Sequence, residues 1–319
     1  MDNWVASVVI FCRSGYEKAS KNFDEEDLKV DCTGYHFMIT GANSGIGKCV
    51  TTSIAERGGT IHMVCRNETA GNETKLAIMK TTGNEDIHVY VLDLSQSLEV
   101  VKFCEEFRRT HDSLNVLVNN AGCMINQKEL TEEGLEKNFA TNTLGMHLLT
   151  TGLVPLLQKS KNPRVVTVSS GGMLVQKLKK DDLQFEQLLP FDGTMAYAQN
   201  KRQQVVLNEQ YAKKYPEIHF SCMHPGWAAT PAVKSSMPEF YEKMKDRLRS
   251  PEQGADTVVW LAIGQPILKM KSGLFFQDRR PVSTHLPLAC TKVSAEEEER
   301  FVEELDKIAQ NLRVERIVF

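Results

Sequence analysis

Tyr197 is followed four residues later by Lys201. On a helix that spacing is about one turn, so both side chains rise from one face and an ammonium can sit beside a phenol. A phenol titrates near pH 10, so acid–base work near neutrality needs a shift of roughly three units, or about 4 kcal/mol in favour of the phenolate. A neighbouring cation moves the pKa in that direction. A second such pair, Tyr241 and Lys245, lies in a charged segment with no strand before it and reads as a solvated helix face. Tyr197 instead lies downstream of the β-rich run 165–170, which ends in Ser169 and Ser170.

These groups need a scaffold, and the first half of the chain supplies its pattern. Residues 35–40 read as a strand, followed by Gly41, Gly45 and Gly47, then by Ile46, Val50 and Ile54 at helical spacing up to Gly58 and Gly59. The glycines let backbone approach a pyrophosphate, with Asn43, Ser44 and Ile46 between them, and the helix N-terminus offers free N–H groups and a positive dipole end. The spacing is GxxxGxG rather than the GxGxxG of the usual dinucleotide fingerprint.

The next strand, 60–65, ends at Arg66 where an NAD-binding site carries an acidic residue for the ribose. A carboxylate would repel the extra phosphate of NADP, whereas a guanidinium binds it through charge-assisted hydrogen bonds, so NADP(H) is favoured. Helix over 68–80, strand over 87–92, helix over 98–109 and strand over 114–118 continue the alternation. This predicts an α/β fold, a doubly wound Rossmann-type parallel sheet with helices on both faces and ligands beyond the carboxyl ends of its strands. At those ends Asp93 and Leu94 are candidates for the adenine, with helix capping by Asp93 or Ser95 as the alternative. Asn120, Ala121 and Gly122 are expected to shape the cofactor pocket. A helix is predicted over 133–158; Asn142, a poor helix former in its middle, either faces solvent or makes a specific buried contact.

With 319 residues, 41% of them apolar, the chain can bury a full core, and its net charge of −3 gives neither a nucleic-acid footprint nor an acidic tail. Its eight cysteines show no CxxC pair and no zinc-like spacing, so they read as reduced thiols of a cytoplasmic protein and no metal is predicted. The apolar run from Trp4 to Cys12 is nine residues, about half of a membrane span, and reads as a short helix on the domain or an interfacial anchor.

Taken together, residues 40–47, 119–122, Asn142, Ser170 and the Tyr197/Lys201 pair resemble, in order, the motifs of the short-chain dehydrogenase/reductase superfamily. The resemblance implies a catalytic domain over 35–289, an N-terminal extension over 1–34 and a tail over 290–319. It implies that Tyr197 is the general acid/base and that Lys201 lowers its pKa and bonds the nicotinamide ribose. Ser170, or Ser169 in its place, would orient the substrate carbonyl, and Asn142 would hold a proton-relay water. Pro225, Gly226 and Thr230 take the nicotinamide side, although Ala228 stands where a branched aliphatic is usual, and 27 positions separate Ser170 from Tyr197, more than in compact members. A homo-oligomer is compatible with the resemblance.

On the substrate side, Met237, Phe240, Tyr241, Met244 and Leu248 are spaced like one apolar helix face after Trp227. The resemblance implies that such a segment covers the active site as a lid over about 227–250, with Pro231 and Pro238 flanking the start of the apolar face as hinge boundaries; packing on the core is the alternative. A further helix from Ser250, a last strand near 273–276 and an amphipathic helix over 296–312 complete the chain. That last helix could dock, pair subunits or lie peripherally on a membrane. The expected function is hydride transfer between NADP(H) and a small, lipophilic carbonyl or alcohol. The rivals are a catalytically silent NADP(H)-binding scaffold and, last, a nucleotide-sugar lyase or epimerase.

Overall fold

The computed structural model describes residues 10–318, with side chains through Leu312. Eight strands form one sheet: β1 His36–Thr40, β2 Thr60–Cys65, β3 Ile87–Val91, β4 Val116–Asn119, β5 Arg164–Val168, β6 His219–Met223, β7 Leu274–Gln277 and β8 Arg280–Pro281. Their order is β3-β2-β1-β4-β5-β6-β7-β8; β1 to β7 run parallel and β8 turns back antiparallel. Phe37, Met38 and Ile39 on β1 and Val165, Val166 and Val168 on β5 are all buried, the continuous apolar pattern of a sheet covered on both faces.

The main helices are α1 Arg13–Ser20, α2 Gly45–Ala55, α3 Glu68–Thr82, α4 Ser97–Thr110, α5 Met146–Leu157, α6 Gly193–Lys214, α7 Pro231–Ser236, α8 Pro238–Met244, α9 Pro251–Ile263 and α10 Ala295–Val318. Val100 and Phe107 of α4, Leu149 and Leu153 of α5 and Leu207 of α6 fill one face of the sheet. Val50 and Ile54 of α2 with Val258 and Leu261 of α9 fill the other. After β3 the chain crosses to the far side of β1, so the carboxyl ends of β1 and β4 diverge and open a crevice there.

The predicted helix over 133–158 is not continuous. A single turn, Lys137–Phe139, passes into a π-helical stretch, Ala140–Gly145, before α5 begins. The start is displaced because the Glu136 carboxylate caps the turn, accepting from Phe139 N at 2.7 Å and from Asn138 Nδ2 at 2.9 Å. The π stretch has a long-range cause: Asn142, fully buried, exchanges two hydrogen bonds with the Cys123 backbone at 2.8 and 2.9 Å. Such a local widening of a helix often marks a functional site.

Helix α10 docks. Phe301 and Leu305 are buried, Ile308 partly so, and Asp306 meets His147 Nε2 of α5 at 3.1 Å. Most of the run Trp4–Cys12 lies outside the described residues; its final residues meet the segment after β6, with Trp227 N donating to Phe11 O at 2.8 Å. Among the described residues no helix is long and apolar enough to cross a membrane.

Candidate active site

The crevice holds a cleft of about 790 Å³, reached by residues from β1, β2, the segment after β4, β5, α6 and the segment after β6. Its floor is the glycine turn. Gly41 has φ +64°, and a Cβ there would lie 3.1 Å from Asn120 Nδ2. At Gly47 a Cβ would meet Gly41 O at 2.2 Å, so α2 can start against the end of β1 only without a side chain. Ser44 caps α2 without a side-chain hydrogen bond, which leaves the first N–H groups of that helix directed at the cleft. Asn43, Ser44, Gly45 and Ile46 all line it.

Thr40 and Asn120 hold this floor to the neighbouring strand. The Thr40 hydroxyl accepts from Asn120 N at 3.0 Å and Ala121 N at 2.9 Å, and Asn120 Nδ2 donates to Thr40 O at 2.8 Å. Thr230 caps α7, accepting from Val233 N at 3.3 Å, and sits where a Gly45 Cβ would touch it at 3.2 Å, so the segment after β6 closes over the glycine turn. Arg66 is exposed on the wall at the end of β2. At the end of β3, Leu92 and Leu94 line the cleft, whereas Asp93 lies outside the lining and its carboxylate accepts from Ser95 N at 2.9 Å. Gly47 and Asn142 support the cleft from behind its lining.

Helix α6 carries the tyrosine and lysine of the one-turn pair. Asp192 caps it, accepting from Thr194 N and Met195 N at 2.8 and 3.0 Å, and its first turns carry Tyr197 and Lys201 into the cleft. Lys201 Nζ lies 5.3 Å from the Tyr197 ring centroid, as the one-turn spacing requires. The ammonium donates to Val168 O at 2.9 Å and to Gln204 Oε1 at 3.1 Å. Gly122 makes room for it: a Cβ there would stand 3.4 Å from Lys201 Nζ and 3.1 Å from Asn142 Oδ1.

The two serines separate by use. Ser169 is buried and its hydroxyl donates to Lys201 O at 2.9 Å, anchoring the helix. Ser170 caps the turn Gly171–Val175, accepting from Gly172 N at 3.2 Å, and lines the cleft on the same wall as Tyr197. Behind that wall the buried Arg202 donates to Met173 O, Gln176 O and Thr284 O at 2.7 to 2.9 Å.

The electrostatics reverse one expectation. Tyr197 is pushed up to about 12, chiefly by burial and then by the Cys123 thiol, with the Ser170 hydroxyl acting the other way. Lys201 is pulled down to about 8 by burial, against the Cys222 and Cys123 thiols. Desolvation thus outweighs the cation beside the ring: the protein alone holds a neutral phenol, a proton donor, rather than a phenolate. Sequence reasoning also passed over Cys123, which follows Gly122 and lines the cleft, and Gln204, whose only signal was its place one turn beyond Lys201.

Residues 36–179 match the family described as short chain dehydrogenase. The human protein Dehydrogenase/reductase SDR family member 12 is 55% identical over 303 residues, covering 95% of either chain. This chain belongs to the short-chain dehydrogenase/reductase family. Human retinol dehydrogenase 11 is 31% identical over 253 residues, covering 78% of this chain and 79% of its own. A short-chain dehydrogenase of Escherichia coli CFT073, solved in complex with NADPH, shares the fold: TM-score 0.64 at 22% identity, covering 81% of this chain and all of that one.

The nicotinamide dinucleotide of the short-chain dehydrogenases suits the residues present. The glycine turn is a cradle that any Cβ at Gly41 or Gly47 would crowd, and the uncapped start of α2 is a site for a pyrophosphate.

Proposed function

We propose that this short-chain dehydrogenase uses NADP(H) to interconvert a lipophilic carbonyl compound and its alcohol. The observation that carries the reading is the cluster of Tyr197, Ser170 and Lys201 on one wall of a cleft whose floor is the glycine turn. The nicotinamide supplies the hydride in reduction and accepts it in oxidation. Tyr197, held as the neutral phenol, donates its proton to the carbonyl oxygen, and Ser170 orients that oxygen. Lys201 stabilises the phenolate left behind and faces the ribose. Gly41, Asn43, Ser44, Gly45, Ile46 and Gly47 would hold the pyrophosphate; Leu94, Asn120, Ala121 and Gly122 would border the adenine and ribose side, with Asp93 shaping the turn after Leu92. Pro225, Gly226 and Thr230 would flank the nicotinamide, and Asn142, clamped to the Cys123 backbone, would hold the wall from behind.

Arg66 is the basis for preferring NADP(H): it is exposed at the end of β2, where no carboxylate stands beside it in sequence to repel a phosphate. The preference for a lipophilic substrate rests on Met124, Ile125, Trp227, Val233 and Met237 in the lining, with Trp227 packed 4.5 Å from the Phe240 ring of α8. Thermal unfolding with NADPH and with NADH tests the cofactor. A ligand at about a hundred times its dissociation constant adds roughly 2.7 kcal/mol of stability. NADPH should stabilise more than NADH, and Arg66→Ser should remove that difference while leaving the NADH effect in place. An equal effect of both cofactors on the wild type would count against Arg66.

A further inference from the structure

Gln204 lies behind the reacting groups, 1% exposed, with a carboxamide engaged at both ends. Its Oε1 accepts from the Lys201 ammonium at 3.1 Å, and its Nε2 donates to the Asn142 carbonyl at 2.7 Å. An ammonium only donates and a carbonyl only accepts, so the chemistry of the two partners fixes which way the amide points. Beyond it the connection continues: Asn142 is clamped to the Cys123 backbone, and the neighbouring Thr143 hydroxyl donates to Gln203 Oε1 at 2.7 Å. Among the described residues Lys201 has one other acceptor, Val168 O at 2.9 Å, at the end of β5. Gln204 is therefore the only side chain among them that bonds the ammonium, and it ties the ammonium to the π-helical turn.

We infer that Gln204 is a positioning residue of the reaction, whose amide fixes the Lys201 ammonium against the Asn142 turn and keeps it charged. The inference rests on the reading of Lys201 given above. The amide oxygen stabilises the charged lysine in a site that otherwise strips it of water, and the amide N–H occupies the Asn142 carbonyl directly. A carboxamide does not exchange protons as water does, so the Lys201 ammonium exchanges its proton through the cleft that it lines, and not inward through Gln204.

The test reads Lys201 itself, with no turnover needed. Protein carrying isotope-labelled lysine, with the Lys201 signal assigned from Lys201→Arg, is titrated by NMR as wild type, Gln204→Met and Gln204→Glu. The wild-type midpoint is expected near 8. Gln204→Met should lower it by about one pH unit or more, the scale of one lost hydrogen bond to a charged group, and Gln204→Glu should raise it by about as much. The alkaline limb of kcat/KM should move in the same order. If Gln204→Met does not fold, Gln204→Asn, whose shorter amide spans only one of the two partners, should move the midpoint the same way. Midpoints that coincide across the folded variants would overturn the inference. A wild type that binds no nicotinamide cofactor would overturn the proposed function instead, and the order of the midpoints would still decide the role of Gln204.

Discussion

The Arg249 guanidinium and the Asp278 carboxylate meet in two parallel hydrogen bonds, 2.6 and 3.0 Å, with only 1% and 9% of the side chains exposed. The remaining donors reach Ile10 O at 2.9 Å, Cys12 O at 3.3 Å and Pro225 O at 3.3 Å. One cation thus joins the segment before α1, the turn after β6 and the loop after β7. Gly226 is the fitted part: at φ +72°, a Cβ would lie 2.4 Å from Arg249 Nε.

Replacing Arg249 with Met should leave a buried carboxylate without its cation and take a donor from three carbonyls, of which Cys12 O keeps Gly15 N and Tyr16 N. The expected loss is about 3–5 kcal/mol, the usual cost of breaking a buried pair from one side. The double variant Arg249→Met, Asp278→Leu should recover part of it. Urea unfolding measures both, and a single-variant loss below about 1 kcal/mol would contradict this role for the pair.

Stability should fall as the solution is acidified. Burial pulls His62 down to about 3, helped by His111, His36 and His88 and opposed by Asp86, and it pulls His224 down to about 4, opposed by Gln277 and Asp278. Below about 6.5 the unfolded chain takes up protons that the native protein refuses until those lower values. Glu209, pushed up to about 7 by burial and Glu298, works the other way, since the native protein binds its proton first. Burial also pulls down His36, His219 and His285, so the histidines outweigh the one glutamate and leave a net loss of at least about 1.4 kcal/mol per pH unit within the range from about pH 6.5 to 4.5. Urea midpoints across that range should therefore drop with pH. Glu209→Gln should steepen the drop and His62→Phe should flatten it; a flat wild-type profile would contradict these shifts.

What the sequence made legible was local in origin. The one-turn spacing of Tyr197 and Lys201 and the glycines at 41, 45 and 47 are consequences of backbone geometry, and the structure places them where the pattern required. The apolar runs set the parallel sheet for the same reason. What stayed hidden depended on partners distant in the chain. The π stretch is set by the Asn142 bonds to Cys123, nineteen residues away. The choice between Ser169 and Ser170 turned on which hydroxyl bonds the backbone of Lys201. The rise of the Tyr197 pKa came from burial, which side-chain spacing does not report.

In the proposed function, Tyr197 gives the proton while hydride is transferred. The direct measurement is NADPH oxidation with a series of medium- and long-chain aldehydes and ketones, for wild type and Tyr197→Phe, beside the thermal shift of each with NADPH. Wild type should turn over, and Tyr197→Phe should lose roughly 10²-fold or more in kcat/KM, the scale of general acid–base catalysis, while its NADPH shift is retained. A Tyr197→Phe protein that keeps the wild-type rate would contradict the account.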